Sequence, residues 1–508
     1  MRIGILLALI HIFLSCTGMF AANRWLVGEN QYFTVVSNAS EKRTLQIFEE
    51  LQFAREVLVG KYIEIDSELA SERLTVVVCK DRKTISKLAH LYAGKPRLTS
   101  GFFMDVQSGA YAVVDASYDM EVVRRIIYHE YVHFLLKSLK ARLPLWMNEG
   151  LAVAFSTIKK TRKKKQDIIE VGRSSYWYTY VLINEEPIPL DQLFAVTRNS
   201  KEYNSSEHGR GTYYAQSWAL VHYMLFGTSD LPPDSFSKLI ESSIVNSQVT
   251  ESDFVSATGV NYDQMDKRIH RYIRDGKFRV NLIPASDLLV SSRITLSRMD
   301  EDDADSYIGR VILETRGYEE AYPILKKAFD ANSNSLVANE SMGFAMMRNG
   351  EIDSAQKHFD EAIRLGSKSS RLYLASIGLG EQDRIQSNNN QPYTEEELER
   401  QLQLFYKARE LGETHSALFM LLGRVLSSYE GEPERDALTM LANGLYLHPG
   451  ELSIGSNLAF LLYRRGDYKE SEIVVRQFDS VNLSKNDRKM FDRILEAIEA
   501  GRSLQELP

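Results

Sequence analysis

Between Glu121 and Leu139 the chain has no Pro or Gly. Val122, Val123, Ile126, Ile127, Phe134, Leu135 and Leu136 recur there at the spacing of a helix face, which predicts a helix. Pro144 stops the connecting segment, and Trp146–Phe155 predicts a second helix behind it. Upstream the period changes to that of a sheet. Tyr32–Ser37, Leu74–Cys79, Gly101–Met104 and Tyr111–Ala116 read as strands, with a helix over Glu41–Val57. The turn Gln107-Ser108-Gly109 joins the last two strands into a hairpin. Tyr176–Tyr180 is aromatic and strand-like, and core packing is its expected role. Gly211–Leu225 and Phe254–Ile273 read as helical. Asn281–Asp305, with Pro284 and the acidic run Asp300–Asp303, reads as a connector.

Beyond the connector the pattern repeats. Gly317-Tyr-Glu-Glu-Ala321 returns as Gly350-Glu-Ile-Asp-Ser-Ala355 and as Gly466-Asp-Tyr-Lys-Glu-Ser471. Ala321 and Ala355 are 34 residues apart, as are Ala328 and Ala362. That is the period of tetratricopeptide (TPR) repeats, in which small residues let paired helices approach. Divergent copies end near Ala408 and carry Ala437, Gly444 and Pro449, and a capping helix is expected over Asp487–Gly501. Such an array offers a concave surface to a protein partner.

Composition adds compartment more than chemistry. With 508 residues and 44% hydrophobic content the chain is long enough for several cored domains. A net charge of −7 argues against general nucleic-acid binding. Arg2, the nearly uncharged run Ile3–Phe20 and Ala21-Ala22 outline a secretory signal peptide, so the protein is expected to be exported to the periplasm, envelope or medium. Membrane association would come only through an uncleaved leader or lipidation at Cys16. With Cys16 removed or lipidated, Cys79 is the only thiol left and no disulfide framework exists; Cys79 is expected to be a buried apolar residue. Lys159–Lys165 is expected to be a solvated basic loop.

The candidate chemistry sits on the first predicted helix, at His129-Glu130-Tyr131-Val132-His133. Positions i and i+4 share a helix face, so both imidazoles can meet one ion while Glu130 stands beside it as general base. A catalytic zinc needs a third protein ligand and an open position. Glu149, early in the second helix within Asn148-Glu149-Gly150-Leu151-Ala152, is within reach of an antiparallel neighbour.

His-Glu-x-x-His followed by Asn-Glu-Gly-Leu-Ala resembles the gluzincin metallopeptidases, specifically the peptidase MA-like domains of bacterial envelope proteins. Weaker similarity runs from about Trp25 to Ile273, through Ile188–Phe194 and Tyr213–Trp218. The resemblance implies an α+β zincin-like (thermolysin-like) catalytic domain followed by an all-α TPR solenoid. It assigns His129, His133 and Glu149 as metal ligands for one Zn²⁺ per chain and Glu130 as catalytic base, and it places Tyr214 near the scissile carbonyl as a donor; Tyr214 otherwise reads as a core residue, and His208, on the loop before that helix, is an alternative donor. Thermolysin-like enzymes carry, four residues after the ligand Glu, an Asp that orients a ligand His; here Val153 stands there, so that support must come from elsewhere. Gly101-Phe-Phe-Met-Asp105 only loosely echoes the substrate-binding signature of related aminopeptidases. The expected plan is a signal peptide at 1–22, a peptidase domain at 23–280, a linker at 281–302, four to five repeats at 303–482, and a cap and tail at 483–508. The expected function is zinc-dependent hydrolysis of a peptide or protein substrate, with the repeats recruiting substrate or partner; the strand before the zinc helix either holds an extended peptide along its edge or is an ordinary sheet edge. The alternatives are an inactive peptidase-like scaffold and a metal hydrolase acting on a non-peptide bond.

Overall fold

The computed structural model describes residues 25–63, 72–92, 94–97, 99–137, 143–204, 208–227, 230–245, 249–288, 294–386, 391–478 and 485–500. The expected signal peptide and Cys16 lie outside them.

The first half is built on a mixed sheet. Its strands are β1 (Leu26–Glu29), β2 (Phe33–Ser37) and β3 (Leu74–Cys79), then, after the short hairpin of β4 (Leu91–Tyr92) and β5 (Lys95–Pro96), β6 (Gly101–Val106) and β7 (Gly109–Asp115). A second hairpin, β8 (Lys159–Lys163) and β9 (Gln166–Val171), is followed much later by β10 (Asn281–Pro284) and β11 (Ser297–Arg298). The main sheet has the order β11-β1-β2-β3-β7-β6. β2, β3 and β7 run parallel, and β6 is antiparallel to β7 at one edge.

The central strands are buried on both faces, which is why they read as nearly continuous apolar runs. On one face Val76, Val78, Ala112 and Val114 pack with the helices Glu41–Lys61 and Met120–Lys137. On the other, Val77, Cys79, Tyr111 and Val113 join a buried cluster with Val311, Leu313, Met342 and Phe344 of the repeats. The repeat array is therefore seated on the back of the sheet. Ser108 donates to Glu314 (2.9 Å), and Arg316 donates to the Ser86 carbonyl (2.7 Å).

The repeats form helical hairpins whose first helices begin at Glu301, Leu336, Ser370, Ser416 and Leu452, and a final helix covers Lys485–Ala500. Ala321, Ala328, Ala355 and Ala362 are fully buried between paired helices, the packing reason for the 34-residue spacing of small residues.

Three expectations change. Lys159–Lys165 is a β-hairpin rather than a loop; Lys164 and Lys165 turn it in the left-handed region (φ 47° and 70°), the geometry a two-residue hairpin needs. Tyr176–Tyr180 lies in a helix, Tyr176–Asn184, and is largely exposed instead of core. Segment 281–302 is stitched into the first half: β10 pairs with β9 and β11 with β1. It is structural edge rather than linker. Propensity alone did not reveal this, because both strands are short and lean on partners distant in sequence.

Candidate metal centre

The helix Met120–Lys137 buries Val123, Ile127, Tyr131 and Val132 in the core and leaves His129, Glu130 and His133 half-exposed on its cleft side. Against it lies the helix Leu145–Ser156, whose N-terminus is set by Pro144. Gly150 lets this second helix touch a third, His208–Phe226: a Cβ there would sit 2.5 Å from the Ser217 carbonyl oxygen. The glycine in Asn-Glu-Gly-Leu-Ala is thus required by close packing. It fixes Glu149 between the histidines and the tyrosines of the third helix.

The potential ligand atoms of His129, His133 and Glu149 lie within 4.8 Å of one another. The two Nε2 atoms are 3.1 Å apart, and Glu149 Oε2 is 3.4 Å from each. That oxygen is buried and makes no well-formed hydrogen bond, whereas Oε1 accepts from the Tyr203 hydroxyl at 3.1 Å. A buried carboxylate oxygen facing two converging ring nitrogens is a donor arrangement of the kind that holds a cation. The residues present therefore fit a divalent metal of zinc type.

Charge at the site follows the same logic. Burial disfavours the charged imidazole of His133, but Glu149 outweighs it, helped by Glu130 and Asn148, and pushes the ring up to about 9. Burial likewise opposes ionised Glu149, yet His133 and His129 hold its carboxyl well below the usual range. Without a metal, a proton on His133 balances Glu149; a metal ion would take that proton's place.

Asn148 Oδ1 accepts from His133 Nδ1 at 2.5 Å. This directs Nε2 toward Glu149, supplying the orientation that Val153, fully packed in the core, does not. Asn148 belongs to the motif itself, so its role was available in the sequence. Tyr203 was not: it sits on a four-residue helix, Lys201–Asn204, with no periodic signal. Burial first, and Glu149 second, push its hydroxyl up to about 12, so it stays a hydrogen-bond donor.

Tyr214 lines the same cleft, its ring 6.3 Å from His129 and stacked on Tyr203 at 6.0 Å. His208 begins the third helix rather than standing on a loop. His222 is fully buried, its ring nitrogens 2.8 Å from the Tyr272 hydroxyl and 2.6 Å from the Gly172 carbonyl, and it takes no part in the site.

A cleft of about 640 Å³ runs over these groups, walled on one side by Gly101–Asp105 of β6. Among the described strands β6 pairs only with β7, so its outer edge faces the cleft. Arg97 and Arg198 also line it, while Lys137 is paired there with Asp105.

Residues 125–241 match a family described as a protein of unknown function, DUF1570. That segment holds His129, Glu130, His133, Glu149, Tyr203 and Tyr214. No curated protein matches the chain. Among solved structures, the chain is similar to YrrB, titled a TPR protein with an unusual peptide-binding site (14% identity, TM-score 0.30, 38% of this chain and 91% of that one). It is also similar to PilF of Pseudomonas aeruginosa (19%, 0.28, 39% and 91%) and to a MamA fragment from Desulfovibrio magneticus (16%, 0.27, 40% and 99%). At these TM-scores the likeness adds nothing to what the helix pairing itself displays.

Proposed function

We propose that the chain is an exported zinc-dependent peptidase of gluzincin type, with one Zn²⁺ held by His129, His133 and Glu149. The observation that carries the reading is the unpartnered Glu149 oxygen, buried between two imidazoles in a cleft beside an open strand edge. When bound, zinc supplies Lewis-acid chemistry, acidifying water and polarising a carbonyl. The chain's own residues do the rest. β6 holds an extended peptide by main-chain hydrogen bonds. Glu130 accepts the proton of the attacking water and returns it to the leaving nitrogen. Tyr214 donates to the carbonyl oxygen as negative charge develops there. Asn148 and Tyr203 hold His133 and Glu149 in place.

Hydrogen bonds and buried side chains of the first three hairpins join the repeats to the sheet. In this reading those repeats are part of the enzyme body, and recruitment of a protein partner falls to the hairpins from Ser416 onward.

The test is Glu130→Gln. It is expected to retain zinc and to lose cleavage of a peptide library by at least about a hundredfold. Unchanged turnover with zinc in place sinks the assignment.

A further inference from the structure

A second recess meets the cleft at His129 and Glu130. It measures about 450 Å³, opens at the Gly101 end of β6, and is lined by Ile126, Trp177, Tyr178 and Tyr214. Its outer wall is the helix Tyr176–Asn184. This helix is apolar on nearly every side yet buries little: Tyr176 is 85% exposed, Trp177 60%, Tyr180 50% and Ile183 65%. Trp177 and Tyr180 stack on each other, centroids 6.1 Å apart and planes at 23°, making a flat aromatic shelf. Such a contiguous exposed patch costs solubility and adds nothing to the core, the usual mark of a binding surface. The shelf is also tied to the catalytic helix, because Arg125, one turn before His129, donates to Ser175 at the start of the shelf helix (2.9 Å).

We infer that this shelf is a specificity subsite, taking an aromatic or aliphatic side chain of the peptide on the Gly101 flank of the scissile bond. The inference rests on the peptidase reading. A peptide is the occupant because the recess is continuous with the space over Glu130 and shares Gly101 with the open strand edge. A membrane surface is the competing occupant for exposed Trp and Tyr near a basic hairpin. Three of that hairpin's six cations are already paired: Lys159 with Glu121, Lys160 with Asp167 and Lys163 with Glu170. The recess beside the shelf, however, runs in to His129 and Glu130, which an extended peptide reaches and a flat lipid surface does not.

The experiment uses the full mature chain carrying Glu130→Gln, zinc-loaded and titrated with peptides differing at a single position (Phe, Leu, Ser or Asp), with tryptophan emission as readout. Trp146 and Trp218 are buried, and Trp25 packs against the cluster behind the sheet, away from the recess, so the exposed Trp177 dominates a binding-induced blue shift. Phe and Leu peptides are expected to bind about tenfold tighter than Ser or Asp peptides and to produce the shift. In Trp177→Ala, where the fluorescent probe is gone and binding is followed by calorimetry, the discrimination is expected to fall below about twofold with zinc content unchanged. The wild-type enzyme is expected to cleave the four peptides in the same order. Cleavage of all four without preference overturns the subsite and leaves the peptidase reading standing. No cleavage of any peptide by zinc-loaded wild type removes the peptidase reading and the subsite with it. Anionic phospholipid vesicles bound through Trp177, with no peptide discrimination, assign the shelf to lipid and overturn the inference.

Discussion

Two clusters of carboxylates, each with a buried member, lie along one helix of this protein, and they are completed in opposite ways. At the junction between sheet and repeats, Glu72 meets Lys137 at 2.6 Å and Arg371 at 3.2 Å. Asp105 is shared by the same two cations at 3.0 and 2.8 Å, and Glu413 lies 3.4 Å from Arg371. Every acid there faces a cation built into the chain. One turn earlier on the helix, His133 replaces a permanent cation, and Glu149 keeps an oxygen with no hydrogen-bond partner. A buried carboxylate is tolerated only with a counter-charge. The first cluster is a closed structural lock joining Lys137 of the helix, Asp105 of the edge strand and Arg371 of the third hairpin. In the proposed reading the second is left open for an ion from solution. Burial and acidity are common to both; the difference between function and architecture lies in whether the chain supplies the cation.

The largest expected effect separates them by metal. His129→Ala is expected to weaken zinc binding on the order of a thousandfold, the share of one ligand in a site worth roughly 10 kcal/mol or more. Its metal-free unfolding free energy, read by chemical denaturation, should shift by no more than about 1 kcal/mol. Arg371→Met should do the reverse. It strands Glu413 and half of Glu72 in a site where Arg371 itself is only 9% exposed, and is expected to cost about 3 kcal/mol of stability with zinc affinity unchanged. Loss of zinc in that variant would erase the distinction between the two clusters.

Asn148→Ala sharpens the comparison from inside the metal site. It keeps all three candidate ligands and removes only the hydrogen bond to His133, so a tenfold to hundredfold weaker zinc affinity is expected by competition titration. The smallest effect is a pH dependence at the junction. Burial works against ionised Glu72, but Lys137 and Arg371 outweigh it and hold its carboxyl below the ordinary 4.5. A depressed acid contributes stability that is fully present above its unfolded value and is lost as pH falls through its folded one. Denaturation below pH 4.5 should therefore show an acid-labile component that Glu72→Gln lacks.

What was legible in the sequence was local. The His129–His133 spacing, the helix break at Pro144 and the small residues of the repeat each encode a geometry within a few turns. The chain also showed β3 and β7 as apolar runs, although their two-sided burial becomes clear only with the repeats seated behind the sheet. The failures share one cause, contact between distant segments. β10 and β11 exist because β9 and β1 offer them edges. Tyr203 acquires its role only when a four-residue helix is brought over Glu149. Tyr176–Tyr180 was expected in the core because its aromatic content is that of a core segment; its exposure is a property of the fold. Val153 left the support of His133 open, and Asn148, five residues earlier in the same motif, supplies it.

The most direct measurement is metal content by mass spectrometry of the purified mature protein, beside His129→Ala. The account expects about one zinc per chain in the wild type and none in the variant. A wild-type protein that stays free of zinc under metal-replete conditions would contradict it, leaving the Glu149 site a histidine-balanced carboxylate and the repeats the working part of the molecule.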